Sequence, residues 1–139
     1  LRLGYLMAHP RVAREIMKAR LPFMVDRIAE TVALKLLARP EMLQERVEWM
    51  RTSRQELTRA LRAMDGVEVR PSHANFVLFR TEWPASELQA ALAARGVVVR
   101  DMSGYDDLPR YVRVNAGTSS ENKAFLAALE DTLSKSKGA

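Results

Sequence analysis

The chain has 139 residues, a formal net charge of +5 and no cysteine, and it is long enough for one domain with a buried core. The lack of cysteine excludes disulfides, thiolate metal sites and cysteine nucleophiles. No apolar run approaches the roughly 18 residues of a membrane helix, and basic residues interrupt the apolar stretch that an N-terminal signal peptide requires. We therefore expect a cytoplasmic protein with no membrane partner.

The excess of basic residues does not indicate a nucleic-acid partner. Acidic and basic side chains are interspersed along the helical segments, as in Glu41–Arg46 and Arg51–Glu56, which is typical of solvated helix faces. Aromatic residues make up only 6% of the chain, so the stacking residues that accompany nucleic-acid binding are scarce.

The segment that precedes the longest helix does not fit the pattern of the rest of the chain. Leu3–Met7 is predicted to form a short strand, and Pro10 to begin a helix that continues to Arg20. Asp26 is predicted to cap a second helix, which faces a core through Ile28 and its apolar neighbours. Because the sequence begins inside an apolar pattern already under way, we interpret it as a piece of a longer protein.

Pro40 begins the longest predicted helix. Its apolar residues recur every three, four or seven positions from Leu43 to Met64, with Arg54 at the one polar position of the stripe. Gly66 is predicted to end the helix, because glycine readily adopts the positive φ of a C-terminal cap. We interpret the stripe as a core-facing surface rather than a coiled coil.

The remaining sequence predicts four strands and two helices, followed by a frayed polar tail. The strands are predicted at Val67–Arg70, Asn75–Arg80, Val97–Arg100 and Tyr111–Asn115, the helices at Pro84–Gly96 and from the capping box Thr118–Glu121 onward, and the tail at Ser134–Ala139. The second strand is apolar at four consecutive positions and is predicted to be buried on both faces. This order predicts an α+β fold in which helices pack on one face of a small sheet.

Two arginines on neighbouring predicted strands are the candidate anion-binding residues. Flanking valines point to one side of the last strand, so Arg113 points to the other. If this strand pairs antiparallel with the preceding one, Arg100 can face the same space. Two guanidinium forks there would bind a carboxylate or phosphate, with roughly 1.5–3 kcal/mol for each charged hydrogen bond. The alternative is a pair of structural salt bridges to Asp101, Asp106 or Asp107.

The sequence shows no other arrangement typical of a catalytic or metal site. His9 and His73 lack the spacing of metal ligands. No nucleophile with an accompanying base and no phosphate-binding glycine loop is found. We therefore predict no metal ion and no catalytic residue within the chain.

Several motifs resemble the C-terminal part of histidinol-phosphate aminotransferase, a pyridoxal-phosphate-dependent enzyme of the class I and II aminotransferases with fold type I. They are Arg2-Leu-Gly-Tyr-Leu6, Ala74-Asn-Phe-Val-Leu-Phe-Arg80, Gly96-Val-Val-Val-Arg-Asp101, Ser103-Gly-Tyr105, Leu108-Pro109 and Tyr111-Val-Arg-Val-Asn-Ala-Gly-Thr118. The resemblance covers nearly the whole chain in order. The first motif is shared by many aminotransferases, whereas the paired arginine motifs are more specific.

The resemblance implies a role for each of three arginines. Arg2 corresponds to the arginine that holds the cofactor phosphate, and Arg113 to the arginine that binds the substrate α-carboxylate. Arg100 corresponds to the second arginine that, with Arg113, receives the substrate phosphate. The parent enzyme is then expected to be a homodimer that transfers an amino group between histidinol phosphate and 2-oxoglutarate or glutamate in histidine biosynthesis.

The same resemblance divides the chain into residues 1–39, a remnant of the large cofactor-binding domain, and residues 40–139, the small C-terminal domain that clamps the substrate. The Schiff-base lysine of the family lies upstream of the position of Arg2, and no lysine of this chain matches it. Because the cofactor chemistry depends on that lysine, we expect the chain alone to be inactive and not to bind pyridoxal phosphate.

One departure from the family leaves other activities open. Asn115-Ala116 stands where a Thr-Val pair is commoner in the family. The alternatives are an aromatic amino acid aminotransferase or a threonine-phosphate decarboxylase of the same fold. A further alternative, from a different class, is a stand-alone α+β module that binds acidic ligands.

Overall fold

The computed structural model describes residues 2–136, with side chains to residue 134. Its helices are α1 (Pro10–Lys18), α2 (Arg27–Leu37), α3 (Pro40–Arg62), α4 (Ala85–Ala93) and α5 (Ser119–Ser136), and its strands are β1 (Glu68–Val69), β2 (Phe76–Arg80), β3 (Arg100–Asp101) and β4 (Tyr111–Asn115). From α3 onward this is the predicted order of helices and strands. The end of the predicted polar tail lies outside the described residues. Within residues 2–136, no helix has both the length and the apolar character needed to cross a bilayer.

The described chain forms two compact units, which divide at Arg46 within α3. In the first unit, Pro10 begins α1 as predicted, and the Asp26 carboxylate caps α2 by accepting a 2.8 Å hydrogen bond from the Ala29 amide. The predicted strand at Leu3–Met7 is wrong, since these residues form no regular structure and pair with no described strand.

Few side chains of the first unit are buried. Ala29 is the one buried residue of α2, whereas Ile28 is 76% exposed. The prediction that Ile28 faces a core is therefore wrong within the described residues. The helices α1 and α2 and the first residues of α3 are too few to enclose an apolar core of their own.

The second unit contains a four-stranded antiparallel sheet in the order β1-β2-β4-β3. Val77 and Phe79 of β2 lie opposite Val114 and Val112 of β4, and these four side chains are buried on one face of the sheet. The core residues that pack with them come from the three helices α3, α4 and α5, namely Leu57, Leu61, Leu88, Leu92, Phe125 and Leu129. The predicted α+β fold with helices on one face of the sheet is confirmed.

Two strand predictions are wrong in detail. The strand β2 is not buried on both faces, because Phe76 and Leu78 are only half-buried on the face that the helices do not cover. The strand predicted from Val97 begins only at Arg100. The Val97 amide donates instead to the carbonyl of Leu92 at the end of α4, at 3.0 Å, so this segment is held by the helix rather than by β4.

A buried polar network joins α3, α5 and the turn that follows β4. The Ser53 hydroxyl donates to the Gly117 carbonyl at 2.6 Å and accepts from the Asn122 side-chain amide at 2.9 Å. The Asn122 side-chain carbonyl in turn accepts from the Gly117 amide at 3.0 Å. Because both polar groups of Gly117 are satisfied by side chains from two helices, the turn is held in one conformation.

The predicted capping box at the start of α5 is confirmed. The Glu121 carboxylate accepts hydrogen bonds from the amide and the hydroxyl of Thr118, each at 2.7 Å, and the Thr118 hydroxyl oxygen accepts from the Glu121 amide at 3.3 Å. The bond from the Thr118 amide, followed by that from its hydroxyl, lowers the pKa of Glu121 below its ordinary value.

Removing the Ser53 hydroxyl should destabilise the fold. We expect Ser53→Ala to lower the free energy of unfolding by about 1–3 kcal/mol, because the Asn122 amide and the Gly117 carbonyl each lose a partner in a site with little access to water. Urea denaturation followed by circular dichroism measures this difference. The neighbouring exposed Thr52→Ala should change the same quantity by less than about 0.5 kcal/mol; equal losses would contradict the role given to the network.

The capping box should make stability depend on pH. Because the folded-state pKa of Glu121 is lowered, its contribution is present above the unfolded value of about 4.3 and is lost as the pH falls through the folded value. We expect Glu121→Gln to lower the thermal midpoint near neutral pH. In acid, the difference in thermal midpoint between this variant and the unmodified chain should disappear. A difference that stays constant down to strongly acidic pH would show that the Glu121 charge contributes nothing.

Candidate functional site

Arg100 and Arg113 lie directly opposite each other on the sheet. The strands β3 and β4 pair antiparallel with Arg100 opposite Arg113, and on its other side Arg113 lies opposite Leu78 of β2. Directly opposed residues of an antiparallel pair project from the same face, which here is the face that the helices leave free. The antiparallel pairing that the sequence analysis gave as the condition for a shared site is therefore met.

Both arginines line one cavity of about 660 Å³ between the edge of the sheet and the start of α5. Its wall also includes the segment 96–99, Gly117 and Asn122. Glu121 is the one acidic residue of the lining, and its carboxylate is already occupied by the capping box. The lining therefore contains two arginines and one acidic residue whose carboxylate is already engaged, and this excess of basic residues favours an anionic ligand.

Arg113 is half-buried, and its Nε atom is buried without a hydrogen-bond partner among the described residues. Its Cζ atom lies 5.2 Å from the centroid of the Phe76 ring, at a distance typical of a cation–π contact. The ring holds the guanidinium against the sheet, but it does not supply the counter-charge that a partly desolvated cation requires.

The structure does not show the alternative of structural salt bridges. Within residues 2–134, neither Arg100 nor Arg113 forms an ion pair with a carboxylate. Asp101 instead accepts a 2.7 Å hydrogen bond from the Ser103 amide. The two guanidinium groups therefore remain available to a ligand.

A second cationic cluster on the same sheet face was missed by the sequence analysis. Arg70 Nε donates to the Tyr111 hydroxyl at 2.8 Å, and the Cζ atoms of Arg70 and Arg80 lie 5.1 and 5.6 Å from the centroid of the Tyr111 ring. Arg80 is paired with Glu68 at 2.6 Å, and this hydrogen-bonded carboxylate raises the pKa of Arg80. The alternation of β4 places Tyr111 and Arg113 on one face, but it does not show which arginines approach the ring.

Arg2 belongs to the first unit and is exposed. Its backbone has a φ of 53°, in the left-handed region that non-glycine residues seldom adopt. The described residues offer its side chain no hydrogen bond or ion pair. The structure thus brings Arg100 and Arg113 together, while the cofactor role of Arg2 stays a prediction.

The sequence of this chain is similar to those of known aminotransferases. The family described as "Aminotransferase class I and II" matches residues 1–129. The histidinol-phosphate aminotransferase of Aquifex aeolicus is 39% identical over 134 residues, which represent 96% of this chain and 38% of that protein.

Two solved structures share the fold. The L-threonine-O-3-phosphate decarboxylase of Porphyromonas gingivalis has a TM-score of 0.76 and 28% identity, over 91% of this chain and 40% of that one. The histidinol-phosphate aminotransferase of Sinorhizobium meliloti, solved in complex with pyridoxal-5'-phosphate, has a TM-score of 0.73 and 28% identity, over 91% and 35% of the two chains. The chain thus spans well under half of the length of each of these proteins.

Removing the Phe76 ring should expose the Arg113 guanidinium. We expect Phe76→Ala to accelerate solvent exchange of the Arg113 Nε proton, because the ring that stacks on the guanidinium is lost. Phe76→Tyr keeps a ring and should keep the slow exchange. Arginine side-chain ¹⁵N NMR measures both rates, and an unchanged rate in Phe76→Ala would show that the ring does not shield Arg113.

Proposed function

Because this chain belongs to the class I and II aminotransferase family, we propose that the protein containing it transfers an amino group between histidinol phosphate and 2-oxoglutarate or glutamate, as a step of histidine biosynthesis. One observation carries the proposal: Arg100 lies opposite Arg113 at a shared cavity, and neither has a carboxylate partner among the described residues. The name of the Aquifex aeolicus relative supports the substrate.

The paired arginines suit a site that must accept two different substrates in turn. Glutamate presents carboxylates and histidinol phosphate presents a phosphate, and a planar guanidinium fork forms two parallel hydrogen bonds with either group. We assign the α-carboxylate of glutamate to Arg113. We assign the phosphate of histidinol phosphate to Arg100 together with Arg113, because the two side chains project from one face of the sheet.

The partial burial of Arg113 favours the binding of an anion. Its stacking on Phe76 and its buried Nε atom mean that part of the hydration of the guanidinium is removed before any ligand arrives. An arriving anion then meets a cation already fixed in orientation, so less side-chain freedom is lost on binding. An anionic group is the natural complement to this position.

The cofactor of the whole protein is proposed to be pyridoxal phosphate, which the Sinorhizobium meliloti structure contains. When bound, it supplies an electron sink for bond breaking at the amino-bearing carbon. Arg2 fits the phosphate of the cofactor, since its guanidinium is exposed and has no partner among the described residues. We further propose that residues 1–39 belong to the large domain of the enzyme, and that the enzyme is a cytoplasmic homodimer.

A threonine-phosphate decarboxylase is the second candidate, favoured by the similarity of fold to the Porphyromonas gingivalis structure. The substrates named for the two activities both carry a phosphate ester, so the same two arginines suit either. The reactions differ in product, because a decarboxylase releases carbon dioxide whereas an aminotransferase forms glutamate from 2-oxoglutarate.

Truncating Arg113 in the full-length protein should impair turnover far more than cofactor binding. We expect Arg113→Ala to lower kcat/KM for glutamate by about 100-fold or more, since two charged hydrogen bonds of at least about 1.5 kcal/mol each are lost. Arg100→Ala should lower kcat/KM for histidinol phosphate more than for glutamate. Steady-state assays test both variants when run in both directions, with glutamate formation followed for histidinol phosphate and 2-oxoglutarate formation followed for glutamate; cofactor affinity is measured separately.

The exposed Arg110→Ala serves as the control, because Arg110 lies outside the cavity that Arg100 and Arg113 line. Unchanged kcat/KM in Arg113→Ala would remove that residue from substrate binding. Release of carbon dioxide from threonine phosphate, without glutamate formation from histidinol phosphate, would favour the second candidate. Residues 1–139 alone should show no turnover, because no lysine of this chain matches the cofactor lysine of the family.

A further inference from the structure

A second basic groove lies between the C-terminal half of α3 and the segment that precedes β2. It has a volume of about 640 Å³ and shares no lining residue with the cavity of Arg100 and Arg113. Its polar lining includes three arginines, a histidine and two hydroxyl residues, namely Arg54, Arg59, Arg62, His73, Thr58 and Ser72. No aspartate or glutamate lines it, so the positive charge within the groove is not neutralised by its own walls.

The spacing of the arginines on α3 produces a continuous cationic strip. Arg54, Thr58 and Arg62 follow one another at intervals of four residues, which places them on one face of the helix. Arg59 lies on the adjacent face of the helix, one residue after Thr58. At 1.5 Å per residue, the strip from Arg54 to Arg62 extends about 12 Å along the helix axis.

The opposite wall of the groove is held by hydrogen bonds. Arg54 Nη1 donates to the Ala74 carbonyl at 3.1 Å, and the Ser72 hydroxyl donates to the Phe76 carbonyl at 2.5 Å. These bonds tie the segment before β2 to α3 and to itself. By contrast, Arg59 and Arg62 form no hydrogen bond or ion pair within residues 2–134, so a fixed wall faces two free guanidinium groups.

A simpler account is that the cations compensate the helix dipole. Arg59 and Arg62 lie in the last turn of α3, where positive charge is favourable. This effect falls off within one turn, so it does not account for Arg54, two turns earlier. It also does not account for His73, which faces the groove from a different segment.

We propose that this groove binds a small molecule that carries two or more linked phosphate groups. The length of the strip exceeds the width of a single phosphate, and guanidinium forks bind phosphate oxygens in pairs. A nucleic acid is less suited to the groove, because no phenylalanine, tyrosine or tryptophan lines it to stack on the bases. The proposal is independent of the aminotransferase function, since the two sites have no lining residue in common.

Calorimetric titration of inorganic triphosphate into the full-length protein, at constant ionic strength, tests the proposal. We expect saturable binding of one triphosphate, weakened at least about tenfold in Arg59→Ala/Arg62→Ala by the loss of charge-assisted hydrogen bonds. Arg46→Ala/Arg51→Ala removes the same charge from the same helix outside the groove and should bind as the unmodified protein does. Orthophosphate should bind more weakly than triphosphate.

Several results would overturn the proposal. They are the absence of saturable binding, an equal loss in both double variants, and loss of triphosphate binding in Arg113→Ala, which would place the probe in the other cavity. A short thymidine oligonucleotide that binds more tightly than triphosphate through the same arginines would make the occupant a nucleic acid.

A second double variant covers the case in which the alanine variant unfolds at a lower temperature. Arg59→Gln/Arg62→Gln removes the charge while keeping helix propensity, and its affinity for triphosphate then tests the proposal. Turnover of histidinol phosphate is measured separately, so either site can fail without the other.

Discussion

The antiparallel pairing of β4 between β2 and β3 decides which side chains meet at the candidate site. In the observed register Arg113 lies between Leu78 and Arg100 on the open face of the sheet. A slip of one residue would exchange the two faces of the strand, turning Arg113 into the apolar core and exposing Val112 and Val114. The register that buries those valines therefore also keeps Arg113 out of the core, so the packing of the core fixes the position of the Arg113 side chain.

The arginines on the open face of the sheet differ in whether a carboxylate neutralises them. Arg80 is neutralised by Glu68 at 2.6 Å and stacks on Tyr111, so its charge is satisfied within the protein. Arg113 also stacks on an aromatic ring, that of Phe76, but has no carboxylate partner among the described residues. A stacked and partly buried cation without a counter-charge is costly to a fold. The unpaired charge of Arg113 is therefore the reason for proposing an anionic ligand at this position.

Local sequence patterns predicted those features of the sheet that depend on residues close together in the sequence. The alternation of Tyr111–Asn115 predicted the bounds of β4 and the direction of Arg113, and the Thr118–Glu121 motif predicted the cap of α5. The apolar run of β2 predicted a strand but not which of its faces would be covered, since that depends on where the helices pack. The late start of β3 and the stacking of Phe76 on Arg113 arise from contacts between distant segments, which no local pattern records.

Two consecutive residues of α3 hold the ends of the strands that frame Arg113. The Ser53 hydroxyl binds the carbonyl of Gly117, just after β4, while the Arg54 guanidinium binds the carbonyl of Ala74, just before β2. In this antiparallel pair those two chain positions lie at the same end of the sheet. One turn of α3 therefore hydrogen-bonds to the chain both at the start of β2 and at the end of β4. Neither Ser53 nor Arg54 lies on the strands of the sheet, so this contact between α3 and the sheet is made through backbone carbonyls alone.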